Sequence, residues 1–248
     1  MTLNSRPALQ TALAHRSIRR FTAEPVSDEM LSAVLEAARA SSTSSYLQNS
    51  SIIRVTDPAI RAQIRPICAA GGKGGQAYVE TAPEFIVFCA DTTRYAHFAP
   101  DAQLDWTEVL LIGAVDVGIF AQNVLLAAES MGLGGVFIGS IRNDLAQVGK
   151  LLGCPQGVVP IVGMCLGYPD QEPMRRERLP LDAILSENRF QAAPADALQA
   201  YNDNVQAYYR TRDGVAQMDW AQQIRNQFCR EVRPDLLRYL QAQGFAKR

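Results

Sequence analysis

The stretch that decides the fold reads Gly132-Leu133-Gly134-Gly135-Val136-Phe137-Ile138-Gly139-Ser140. Its early glycines invite a dinucleotide-binding reading, and the residues refuse it. The G-x-G-x-x-G fingerprint needs a third glycine at position 137, which is Phe. The order is also reversed: a long apolar run precedes the glycines and a strand-like run follows, where the fingerprint runs strand, glycines, helix. A helix-ending glycine turn accounts for Gly132 and extends to Gly134. Gly139-Ser140 is left over, and a glycine at a strand end lets a ligand approach the backbone closely.

Outward from that stretch, residues 109–128 form the longest apolar run, interrupted by Asp116, Gln122 and Asn123. The run is long enough to span a bilayer, but a carboxylate and two amides in mid-span are costly there. A helix buried on most faces, in a core or a dimer interface, is the expectation. Residues 85–90 are continuously apolar, as in a strand covered on both faces. Residues 136–139 and 160–167 read as further strands, and residues 52–55 as a short one. Helices are predicted over residues 8–14, after Ser27 as N-cap, and from Pro58 toward the glycines at 71–75. Two amphipathic helices follow, around residues 195–209 and 220–243, the second broken near Pro234. Without an internal repeat or a low-complexity linker, residues 1–248 read as one domain with a central sheet, flanking helices and a C-terminal helical extension.

Composition narrows the function. The 248 residues are 48% hydrophobic and 20% charged with a net charge of −1, so a generic nucleic-acid binder is not expected. The five cysteines are odd in number and lack C-x-x-C spacing, which favours buried reduced thiols. With only His15 and His97 as imidazoles, no histidine-rich metal site is expected. The first residues form no apolar signal segment, which points to the cytoplasm. No Ser-His-Asp, Cys-His or paired-carboxylate constellation stands out, so any redox chemistry belongs to a bound cofactor. The loop at 41–51 is rich in serine, and the stretch from Gly71 to Gln76 lacks the order of a P-loop.

Two basic clusters remain. His15-Arg16-Ser17-Ile18-Arg19-Arg20-Phe21-Thr22 holds three guanidiniums, an imidazole and two hydroxyls; Arg175-Arg176-Glu177-Arg178 is the second. Each is either a solvated charged loop or part of a phosphate clamp, since guanidiniums bind phosphate bidentately and hydroxyls fill the remaining oxygens.

Taken together, these motifs give the chain a close resemblance to the NADPH-dependent, oxygen-insensitive nitroreductase and flavin reductase family, in its major-nitroreductase branch. The resemblance runs through HRSIRRFT at 15–22, the serine loop ending in SIIRVTD, GGQ at 74–76 and EFIVFCAD at 84–91. It continues through PDAQL at 100–104, the run from Ala121 to Gly139, and RLP at 178–180. It implies an α+β nitroreductase-like fold with a mixed, mainly antiparallel sheet, and an intertwined homodimer binding non-covalent FMN at its interface. It also implies NADPH as co-substrate and hydride transfer in two half-reactions to flat, electron-poor acceptors such as nitroaromatics, quinones or free flavin. Supply of reduced flavin to a partner is the alternative activity, and a non-catalytic flavin sensor a more distant one.

Carried over residue by residue, the resemblance assigns His15, Arg16, Ser17 and Arg19 to the first flavin motif, with Arg19 tuning the flavin rather than acting as a catalyst. It places Thr43, Ser44 and Ser45 on the pocket-lining loop and Gln76 at the pyrimidine edge. Phe137, Ile138, Gly139 and Ser140 would back the ring, Arg176 and Arg178 would hold the phosphate, and Arg212 and Arg233 would serve NADPH. The loop at 213–219 carries Asp213 and Asp219 where the family carries further arginines, which weakens the expected preference for NADPH.

Overall fold

The computed structural model describes residues 7–69, 74–211 and 218–248. Four strands, β1 (Ser50–Arg54), β2 (Glu84–Asp91), β3 (Gly134–Ile138) and β4 (Val158–Gly167), form a sheet in the order β1-β2-β4-β3. All three pairings are antiparallel. The parallel element of the expected mixed sheet is a single bridge, Ser17 to Gly135, at the β3 edge.

The helices are α1 (Pro7–Ala14), α2 (Asp28–Arg39), α3 (Pro58–Ile67), α4 (Tyr78–Thr81), α5 (Thr93–Phe98), α6 (Thr107–Ser130), α7 (Leu145–Leu151), α8 (Ala195–Arg210), α9 (Trp220–Phe228) and α10 (Leu236–Ala242). Their ends follow local chemistry. Ser27 caps α2 by accepting from Met30 N, and Asp57 caps α3 with Pro58 in the first turn. Gly132, at φ +86, follows the end of α6 in a conformation that favours glycine.

Every residue of β2 is buried, and its side chains alternate between two cores. Ile86 and Phe88 join Met164 and Leu166 beneath α2 and α6, against Val34, Val117, Ala121 and Leu125. Phe85, Val87 and Cys89 join Val136, Ile138 and Cys165 beneath α3, α4 and α7. Period-two alternation under helices on both faces is what turns a continuous apolar run into a central strand.

Within the chain, the long helix meets its expectation of burial on one face. α6 buries one face through Gly113, Asp116, Val117, Ala121, Val124 and Ala128. Leu111, Val115 and Ile119, spaced four apart, stay 55%, 56% and 40% exposed. It is the one helix among the described residues long and apolar enough to cross a membrane.

The chain divides into two compact units, residues 1–174 with 235–248, and residues 175–234. The first holds the sheet, α1–α7 and α10. In the second, Tyr201 of α8 meets Trp220 of α9 edge to face, and Ala221 N donates to Asn202 Oδ1 at 2.9 Å. The expected helix over 220–243 is interrupted between Phe228 and Leu236, so Arg233 lies in a non-helical segment at φ +51 rather than on a helix. The cysteines are all free; Cys68, Cys89 and Cys165 are buried, Cys154 is intermediate, and Cys229 is exposed, against the expectation of a buried thiol.

Candidate functional site

The first basic cluster is held against the β3 edge by backbone contacts. Ile18 N donates to Gly135 O at 2.9 Å, beside the Ser17–Gly135 bridge. This approach needs Gly134: a Cβ there would meet the Ile18 side chain at 2.5 Å. Ile18 is buried in the core, so the neighbouring side chains of Ser17 and Arg19 turn to the other side of the extended segment.

Around them the charges are placed by specific partners. His15 Nδ1 lies 2.6 Å from Glu129 Oε1, near the end of α6. Burial pushes the Glu129 carboxyl above its usual range, against the His15 contact that pulls it down. Arg16 Nη1 donates to Glu172 Oε1 at 2.7 Å, but that carboxylate is 83% exposed and its hold is weak. Arg16 Nε is buried and has no partner. Arg19 donates to Ser17 O at 3.4 Å and contacts the Tyr78 hydroxyl, whose pKa is raised by burial with Arg19 opposing.

Gln76 and Ser140, 64 residues apart, come together: Ser140 Oγ donates to Gln76 Oε1 at 3.1 Å. Gly75 makes this placement possible. Its φ is +74, and a Cβ there would lie 1.8 Å from Arg65 O. In the 137–140 segment, Phe137 is 38% exposed, while the Ile138 side chain is fully buried and offers a ligand only its backbone. Gly139 faces the Arg142 guanidinium, with 3.2 Å between an added Cβ and Nη2.

The serine loop sits elsewhere in the first unit of the chain. Ser44 donates to Asp116 three times, from N to Oδ1 at 3.0 Å, from N to Oδ2 at 3.1 Å and from Oγ to Oδ1 at 2.7 Å. Asp116 is 1% exposed. Ser45, Tyr46 and Gln48 all have positive φ, at 47°, 59° and 52°, so this turn is locally unfavourable and held by its contacts. The loop leads into β1, at the opposite edge of the sheet from β3, three strand spacings or about 14 Å across. Along α6, its anchor Asp116 and the His15 anchor Glu129 are separated by about 20 Å and about 220° of rotation. The single chain therefore does not bring Thr43, Ser44 and Ser45 to His15, Arg16, Ser17 and Arg19. A cavity of about 1080 Å³ lies beside the loop, lined in part by Thr43, Tyr46, Asn49, Tyr95 and Phe98.

In the second unit, Arg176 Nη2 donates to Tyr209 OH at 2.5 Å, and its guanidinium lies 5.2 Å from the Tyr208 ring centroid. Arg178 donates to Arg176 O at 2.9 Å. Arg233 is half-buried, and Arg212 lies outside the described residues.

Sequence reasoning missed Glu129, Tyr78 and Arg142. Glu129 and Asp116 carried a signal, as carboxylates on an otherwise apolar helix, but their partners are distant in sequence. Tyr78 and Arg142 carried none, because only the folded chain sets them beside Arg19 and Gly139.

The arrangement at the β3 edge offers guanidiniums, hydroxyls, an amide and strand-end backbone, with no nucleophile and base in contact among the described residues. The unpartnered Arg16 Nε fits an anionic group, and the Gln76–Ser140 pair fits the polar edge of a heteroaromatic ring.

The sequence matches the model of the nitroreductase family over residues 12–168 and that of the nitroreductase family, C-terminal domain, over residues 176–248. It is 49% identical to the NADPH-flavin oxidoreductase of Vibrio harveyi, covering 97% of this chain and 98% of that protein. It is 45% identical to the oxygen-insensitive NADPH nitroreductase of Salmonella typhimurium, covering 98% and 99%. Among solved structures, nitroreductase A from Vibrio parahaemolyticus superposes with a TM-score of 0.92 at 49% identity, over 98% of this chain and 99% of that one. The NADPH:FMN oxidoreductase from Vibrio harveyi, complexed with NAD+, superposes with a TM-score of 0.90 at 48% identity, over 98% and 100%. With both family models matched in order and relatives this similar over nearly its whole length, the chain belongs to the nitroreductase family.

Proposed function

We propose that this protein is an FMN-dependent NADPH oxidoreductase that reduces flat, electron-poor acceptors, nitroaromatics and quinones among them, in two half-reactions. The observation that carries the reading is the constellation at the β3 edge, where Arg16 Nε has no partner and Gln76 meets Ser140. The names of its relatives support the same chemistry.

Bound at this site, FMN would supply the hydride-transfer chemistry between NADPH and the acceptor. The protein's own residues bind and orient. Arg16 and Ser17 would hold phosphate or ribityl oxygens, and His15 would keep its place through Glu129. Arg19 would set a positive charge beside the pyrimidine edge, stabilising negative charge that develops there. Gln76 would bond that edge, and the 137–140 segment would back the ring. Arg176 and Arg178 are proposed for the phosphate, and Arg212 and Arg233 for NADPH, on the resemblance alone. Residues 1–248 would act as one functional domain.

The separation of the serine loop from the basic cluster supports a homodimer in which Thr43, Ser44 and Ser45 of one copy complete the site of the other. The exposed Leu111, Val115 and Ile119 stripe supports the same assembly. A cytoplasmic location is part of the proposal.

Purified protein should be yellow and should oxidise NADPH when a nitroaromatic or quinone is added. A colourless preparation that fails to take up FMN overturns the reading. A second reading, a flavin reductase releasing reduced FMN, is favoured by the NADPH-flavin oxidoreductase relative. Turnover that saturates with added free FMN, and exceeds turnover with quinone, would select it.

A further inference from the structure

Ser140 lies just past the end of β3, in a short 3-10 turn, Gly139–Asp144. Ile138 and Ile141 on either side of it are fully buried, so this turn is pinned to the sheet and the reach of the hydroxyl is fixed. Gln76 arrives from the other side. Its backbone carbonyl accepts from Val79 N at 3.0 Å, at the start of α4. The chain reaches it through two left-handed glycines, Gly74 and Gly75, at φ +98 and +74. Arg65 Nε donates to Gly74 O at 2.9 Å, and the same guanidinium contacts Glu80 of α4. Asn143 Nδ2, in the same turn as Ser140, donates to Ile67 O at 3.0 Å and Ala69 O at 3.3 Å. The turn after β3 is thereby tied to the end of α3. Ser140 and Gln76 meet between elements held by other bonds than their own.

Their hydrogen bond decides which end of the Gln76 amide is spent. A primary amide carries one carbonyl oxygen, which accepts, and one NH2 group, which donates twice. Ser140 Oγ donates to Gln76 Oε1 at 3.1 Å, so the oxygen is turned toward Ser140 and held there. The NH2 group is the end left for a ligand. Both residues are half-buried, and away from bulk water the direction of a hydrogen bond counts for more, because a mismatched pair has no solvent to turn to.

We propose that Ser140 is a positioning residue for ligand specificity: it fixes the Gln76 amide as a donor, so the site favours a ring edge that presents a carbonyl oxygen there and disfavours one that presents N–H. Where the site holds FMN, the reading on which this assignment rests, the amide would meet a carbonyl oxygen, because the pyrimidine edge carries two of them flanking a single N–H. A donor at that oxygen stabilises negative charge on the ring in the same sense as the charge proposed for Arg19. The hydroxyl at position 140 is what sets the choice. The two ends of an amide are nearly identical in shape, so without it the Gln76 side chain is free to turn over and present its oxygen instead.

The test uses full-length protein stripped of flavin and titrated with FMN, at about pH 8 so that a carboxylate is ionised. Affinity is read by quenching of flavin fluorescence. Gln76→Glu keeps an oxygen for Ser140 but replaces the NH2 group with a second acceptor, and should weaken FMN roughly ten-fold or more. Ser140→Ala should weaken it about three-fold. FMN labelled with heavy carbon at either pyrimidine carbonyl supplies a readout that a loosened fold alone would not move. In infrared difference spectra of the bound flavin, one carbonyl stretch should rise in frequency in Gln76→Leu, and the same band should rise by less in Ser140→Ala. Wild-type protein that takes up no FMN overturns the flavin reading and this assignment with it. Where wild type does bind FMN, three results overturn the assignment and leave the flavin reading standing. They are undiminished binding by Gln76→Glu, carbonyl bands unmoved in Gln76→Leu, and a Ser140→Ala protein that matches wild type in both affinity and spectrum.

Discussion

Arg16 is the residue on which cofactor affinity turns. Its Nη1 is engaged by an exposed carboxylate and its buried Nε by nothing, so the side chain is held in place with a donor to spare. Removing one charged hydrogen-bonding group costs about 1.5–3 kcal/mol. Arg16→Ala should therefore weaken FMN binding by roughly ten- to a hundred-fold, read by flavin fluorescence quenching, with Arg16→Lys restoring part of the loss. Asp91 makes the pH-dependent contribution. Burial raises its pKa, but Ser51 Oγ at 2.5 Å, Thr93 N at 2.8 Å and Thr93 Oγ1 at 2.5 Å, with Arg94, outweigh it, and the net shift is below the ordinary 3.8. A depressed folded-state pKa stabilises the fold above the unfolded value and loses that stabilisation as pH falls through the folded one. In denaturant unfolding, Asp91→Asn should cost about 1–3 kcal/mol at neutral pH. The gap between variant and wild type should narrow only below about pH 4.

Among the elements, α6 carries the most tasks. Asp116 reaches from its buried face to hold the Ser44 turn, and Glu129 reaches from its last turn to hold His15. Asp116→Asn keeps the shape but sets an NH2 group against one of the Ser44 donors, leaving a buried donor unsatisfied. We expect a loss of about 1–3 kcal/mol in thermal or denaturant unfolding. Ser44→Ala, which keeps the backbone donor, should cost less. The chain entering α3 and the chain leaving α4 are tied together by Arg61, whose buried guanidinium donates to Val55 O at 2.7 Å and Ala82 O at 2.6 Å, with longer contacts to Glu80 O and Pro83 O. Arg61→Met fills the volume but orphans those carbonyls, and should destabilise the fold by about 2–4 kcal/mol in the same measurement.

For the whole molecule, the expected state is a dimer of the 27.2 kDa chain, about 54 kDa by light scattering. Leu111 and Val115 lie on the exposed stripe of α6. The double change to Glu should shift dilute protein toward monomer and release FMN in parallel, since each proposed site needs the loop of the other copy. A monomer retaining FMN would separate assembly from binding and refute the shared site.

The local pattern by itself determined much of this protein. Ser27 as a cap, Pro58 as a helix opener, Gly132 as a helix stop and the apolar run of β2 each depend on neighbours within a few residues, so they were legible from their own surroundings. Phe137 in place of glycine excluded the dinucleotide fingerprint for the same reason. Other features were decided only by long-range packing. The meeting of Gln76 with Ser140 depends on Gly75 passing under Arg65 O, and no pattern in either segment encodes it. Asp116 read as an unexplained carboxylate in an apolar helix until Ser44, 72 residues away, supplied its donors. The order β1-β2-β4-β3 sets the serine loop and the basic cluster on opposite edges, because strand order follows which faces can be buried together rather than which residues are adjacent in the chain.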